Sequence, residues 1–88
     1  MYKSFKLVMF IVNINGGESE TVTHLYNEVD GTLVPMTESE SVLKMLSEVS
    51  KIGGNDSTQS VKAMLFNPNG DLIKIEEVIK DIEPQMAE

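Results

Sequence analysis

Between residues 5 and 14 the apolar side chains first alternate and then run on unbroken. Phe5, Leu7, Met9 and Ile11 share one face, and Val8, Phe10, Val12 and Ile14 share the other. Apolar residues on both faces predict a central β-strand covered on each side, by the protein itself or by a partner. Asn15-Gly16-Gly17 supplies residues that tolerate the positive φ of a tight turn. Residues 21–26 then have the β-branched and aromatic content of a returning strand. Asp30-Gly31 marks a second turn, leading into a short strand at 32–34 that Pro35 ends or confines to an edge.

The period changes after Met36. Thr37 followed three residues later by Glu40 is a capping box, which satisfies two of the orphan N–H groups at a helix start. Val42, Met45, Leu46, Val49 and Ile52 then form one apolar stripe at helical spacing. On the far side Glu40 and Lys44 are placed as an i,i+4 pair, Lys51 complements the negative helix end, and Gly53 suits a left-handed cap. A helix over 38–52 follows.

Residues 53–60 contain no apolar side chain and read as a surface loop. Residues 61–66 form another apolar strand, Asn67-Pro68-Asn69-Gly70 a turn, and 72–75 a returning strand. Ile75, Val78, Ile79 and Ile82 recur at helical spacing, which predicts a short C-terminal helix over about 76–83, before Pro84, and a frayed end from about residue 85. The expected order is β-β-β-α-β-β-α. That is an α+β fold with an antiparallel sheet of four to five strands packed on one main helix. With 88 residues there is material for one core, so residues 1–88 are expected to form a single compact domain.

Composition narrows the function. The chain carries seven Lys, no Arg and fourteen acids, for a net charge of −7, which is the wrong field for direct nucleic-acid binding. It has no Cys, hence no disulfide framework and no thiolate chemistry, which favours a cytoplasmic setting. The apolar run at 7–12 follows Lys3 and Lys6 but is too short for a signal peptide, and no stretch is long enough to span a membrane. The acids are unevenly placed: residues 1–14 have none, whereas 15–50 hold seven against a single Lys. Those seven are Glu18, Glu20, Glu28, Asp30, Glu38, Glu40 and Glu48, and they are the candidate partner-binding residues.

Catalytic and metal chemistry find little to work with. His24 is the single imidazole, set in a predicted strand where a structural or exposed role is expected. The pairs Glu18/Glu20 and Glu76/Glu77 lie in polar contexts that keep carboxylates solvated and ordinary. Asn67, Asn69, Gly70, Asp71 and Glu76 match later positions of an EF-hand loop, but Leu65 stands where its first Asp belongs. The Asn-x-Ser sequon at Asn55 reads as chance, and neither Gly pair has phosphate-loop spacing. Met9, Met45 and Met64 fall on core periodicities, whereas Met36 and Met86 are placed to meet a partner.

The expectation is therefore a non-enzymatic protein, with no cofactor and no metal. Its leading role is a small acidic protein-binding module, an inhibitor or adaptor, that docks on a protein partner with a basic surface and competes there with nucleic acid. The alternative is a self-assembling structural subunit, a homodimer or larger homo-oligomer, that buries the second face of the 7–12 strand.

Overall fold

The structure is a computed structural model and describes residues 3–80. Its elements are β1 (Lys6–Asn13), β2 (Glu18–His24), β3 (Tyr26–Val29), β4 (Thr32–Pro35), α1 (Glu38–Gly53), β5 (Thr58–Phe66) and β6 (Leu72–Ile79). Four strands form one antiparallel sheet in the order β2-β1-β5-β6, and β3 and β4 form a separate two-stranded ribbon. The α+β architecture, with the sheet packed on one main helix, is the one expected from the pattern.

Each turn has a local cause. The β1–β2 turn closes with Asn13 N–H donating to Gly17 O at 2.7 Å, while Gly16 takes φ +92°. In the ribbon, Asp30 (φ 51°) and Gly31 (φ 79°) are the two central residues between the paired Val29 and Thr32. Positive φ at both is the type I′ geometry that matches strand twist. At the β5–β6 turn the Asn67 carboxamide oxygen accepts from Asn69 N–H (3.0 Å) and Asp71 N–H (2.9 Å). Asn67 and Asp71 are thus spent on holding a hairpin turn, as expected.

The core lies between α1 and one face of the sheet. Leu7, Met9, Val61, Ala63 and Leu65 meet Met45 and Val49, with Phe5 and Leu25 closing one end. The helix contacts this face along Ser41, Met45, Val49 and Gly53, all buried, while Val42 and Ile52 are half-buried. Leu46, expected in the stripe, is 39% exposed. Small residues at both ends of the buried line let the helix sit low on the sheet: a Cβ built on Gly53 would lie 3.4 Å from Val78 Cγ1.

Several expectations need correction. Residues 76–79 are strand, not the start of a C-terminal helix, because β6 stays in register with β5 as far as Ile79 opposite Ser60; the rest of that predicted helix, the frayed end and Met86 lie outside the described residues. Residues 21–26 are not one strand: the chain breaks at buried Leu25, and β3 leaves the sheet to pair with β4. The loop after α1 is shorter than expected, since β5 begins at Thr58, whose side chain is buried. The helix ends without a left-handed cap: Gly54 has φ −81° and its N–H returns to Ser50 O and Ile52 O. Lys44 approaches Glu48 at 3.9 Å, not Glu40. Met36 packs against the core, while Met64 lies half-buried on the opposite sheet face.

Ser41 gives a first test of this packing. Its side chain is buried, yet among the described residues Oγ has no hydrogen-bond partner. A buried hydroxyl without a partner is costly, and Ala is also the better helix former. Ser41→Ala is expected to stabilise the fold by about 1 kcal/mol, raising Tm by roughly 4–8 °C in a thermal melt.

Candidate docking surface

The helix covers one face of the sheet; among the described residues no element packs on the other, although Val8 in its middle is buried. Antiparallel register fixes which side chains share that open face, because cross-strand partners point the same way. One row runs Val22, Val8, Met64, Ile75 across all four strands; the next runs Glu20, Phe10, Lys62, Glu77; a third runs Glu18, Val12, Ser60, Ile79. Phe10 (39%), Val22 (54%), Ile75 (48%) and Ile79 (65%) are exposed there, and Ile73 shares their parity on β6. Lys6 Nζ sits 5.1 Å from the centroid of the Phe66 ring, which supports a cation–π contact at the edge of the same face. A hollow of about 270 Å³ opens over the β1–β2 pair, lined by Phe10, Ile11, Val12, Glu18, Ser19 and Glu20.

The seven candidate acids are divided among three places. Glu18 and Glu20 stand on β2 at the border of the open face, beside Val12 and Phe10. Glu28 and Asp30 belong to the β3–β4 ribbon, whose Val29, Leu33 and Val34 are also exposed. Glu38 and Glu40 lie in the first turn of α1 and Glu48 further along it, against the opposite sheet face from Glu18 and Glu20. A third acid, Glu77, lies on the same face but at the opposite edge of the sheet, beside Lys62 and three strands from Glu20.

Glu40 has a structural task. Its Oε1 accepts from the Thr37 backbone N–H at 2.9 Å and from the Asn27 amide at 3.0 Å, and its own N–H donates to Thr37 Oγ1 at 3.2 Å. It therefore closes the capping box and ties the ribbon to the helix. The Thr37 N–H above all, with further help from Thr37 and Asn27 side chains, holds the Glu40 carboxyl below its ordinary value of 4.5 against a lesser opposing effect of desolvation. A carboxyl lowered in the folded state adds stability above its unfolded value and loses it as pH falls. Thr37→Ala is expected to cost about 1 kcal/mol at neutral pH. In melts between neutral and acid pH, the Tm advantage of the wild type over Glu40→Gln should shrink below about pH 4.5.

His24 is exposed, with Nδ1 at 3.3 Å from Ser4 Oγ. Among the described residues no three His, Asp or Glu side chains come together in a group that could hold a metal ion. Asn55 Oδ1 accepts from both the N–H and the hydroxyl of Ser57, so the sequon forms a tight local turn. No helix of the described residues is long and apolar enough to cross a membrane.

The acids of β2 and the second apolar face of β1 were legible in the sequence, but the β6 part of the open face was not. Its signal was the alternation Ile73, Ile75, Glu77, Ile79, which a helical spacing of Ile75, Val78 and Ile79 concealed. No protein-family model, no curated protein and no solved structure matches this chain.

Proposed function

We propose that the protein is a non-enzymatic binding module, of the inhibitor or adaptor kind, that docks on a basic protein partner through the open face of its sheet. The observation that carries this reading is the set of exposed apolar side chains on one sheet face, Phe10 on β1, Val22 on β2 and Ile75 and Ile79 on β6, with Glu18 and Glu20 at the β2 edge, Glu77 at the β6 edge and Lys62 between. Apolar anchors within a charged rim are the usual anatomy of a docking patch. A net charge of −7 adds long-range steering toward a basic surface, including one that otherwise holds nucleic acid, and makes direct binding of nucleic acid by this chain unfavourable. The remaining acids on the ribbon and helix, Glu28, Asp30, Glu38 and Glu48, contribute to that field at longer range. The setting proposed is cytoplasmic, in keeping with a chain that has no Cys.

Capture from a lysate of the source organism, washed in parallel at about 50 and about 500 mM salt, tests the electrostatic part of this proposal. The expected result is a stoichiometric partner retained at low salt, lost at high salt, and lost at low salt from the Glu18→Lys, Glu20→Lys double variant. Binding that ignores both salt and the double variant would contradict it.

A further inference from the structure

Among the described residues no strand pairs with the outer edge of β2, and that edge carries an inference of its own. In the β1–β2 pair Leu25 N–H donates to Phe5 O and Asn13 N–H to Gly17 O. Within the register of that pair, these bonds make the odd-numbered residues of β2 the ones that bond to β1. Glu18, Glu20, Val22 and His24 therefore point their N–H and C=O groups outward, at the edge of the sheet. All seven residues of β2 are exposed, the strand contains the β-branched run Thr21-Val22-Thr23, and its register with β1 has no bulge. It has neither Pro nor Lys, two of the devices by which edge strands avoid pairing.

The opposite edge is different. β6 carries Lys74, a register shift against β5, and α1 lying over it, with Val78 against Gly53. β2 lies beyond the helix, so its helix-side residues Ser19, Thr21 and Thr23 are open as well.

We infer that two copies of this chain pair through β2, antiparallel about a two-fold axis at Thr21. In this register all seven residues of the strand find a partner, with about eight new backbone hydrogen bonds from the outward groups. Glu18 of each copy faces His24 of the other, which offers its Nε2 edge because Nδ1 already lies against Ser4 Oγ. Glu20 faces Val22, and Thr21 faces its own copy with Ser19 opposite Thr23, the hydroxyl pairs favoured across strands. Shifting the axis to Glu20 would set two carboxylates directly opposite one another, and shifting it to Val22 would leave Glu18 and Ser19 outside the pairing. The product is a continuous eight-stranded sheet, both helices on one side. Its open face is doubled, with Glu18 and Glu20 of both copies at the centre. Pairing of this kind goes beyond docking on a basic partner and stands independently of it, since Thr21 points to the helix side.

The test is the mass of the full chain in solution by light scattering, at about 100 µM where weak pairing is populated by mass action. The wild type should have twice the 9.8 kDa chain mass. Thr21→Lys and Thr21→Glu each set like charges about 4.5 Å apart, Cα to Cα, across the axis, so each alone should be monomeric. Mixed one to one they should recover the dimer as a Lys–Glu heterodimer, with melts of the separate variants confirming that both are folded. A monomeric wild type overturns the inference. Variants that remain dimeric, or that are folded monomers and fail to pair when mixed, overturn the Thr21 register.

Discussion

Leu65→Ala should leave the protein close to unfolding. Leu65 is fully buried on β5, at the middle of the layer between sheet and helix, with Leu7 as its neighbour on β1. Removing a buried Leu side chain costs about 2–5 kcal/mol, the transfer of the lost methyl groups plus the cavity that neighbours do not refill. The site is poorly able to collapse, because β5 pairs on both sides with β1 and β6 and the helix is already drawn close at Gly53. A domain of this size has roughly 5–10 kcal/mol in total, so the change removes a large share of it. Thermal melts should show Tm falling by about 15 °C or more. An unchanged Tm would mean that the helix does not pack where the structure places it.

The second large effect concerns the open face. Phe10→Asp together with Ile75→Asp should abolish capture of the partner while leaving the protein folded. Phe10 is 39% and Ile75 48% exposed, and both lie on the sheet face away from α1, so neither change opens a cavity in the helix-side core. In a docked complex both side chains would be desolvated, and burying a carboxylate in place of an apolar anchor penalises binding strongly. The expected loss is at least about 30-fold in affinity, the equivalent of about 2 kcal/mol at a hot spot. Retained capture by a folded double variant would move the interface elsewhere, for instance to the ribbon with its exposed Val29, Leu33 and Val34 or to Leu43 and Leu46 on the helix.

The parts of the fold that were legible in the sequence are those whose signals act locally. Thr37 and Glu40 mark the helix start by reciprocal hydrogen bonds within four residues, and the structure has both. Asp30-Gly31 and Asn67 to Gly70 determine their turns in the same local way. What was not legible depends on distant pairing. Ile75, Val78 and Ile79 fit a helix and a strand equally well by spacing, and the choice is made by β5, which offers an unpaired edge as far as Ser60. The break at Leu25 is likewise invisible locally, since its cause is burial of that side chain under elements distant in sequence.

The acidic residues show the same limit. Their clustering between residues 15 and 50 is a fact of sequence, but which of them share a surface is set by the sheet. Glu18 and Glu20 join an apolar face, and Glu40 becomes a hydrogen-bonded link between helix and ribbon. Glu77, from a segment read as helix, lands on the same face as Glu18 and Glu20 because β6 is a strand, though at the opposite edge and beside Lys62.

The most direct test of docking through the open face is a residue-by-residue map of the interface by amide and methyl NMR, on the protein alone and with the captured partner. The account predicts that the largest changes fall on Phe10, Val22, Ile75 and Ile79, with Glu18 and Glu20 beside them, while the outer surface of α1 around Leu43 and Glu48 is unmoved. Changes centred on α1, with the open face silent, would contradict it.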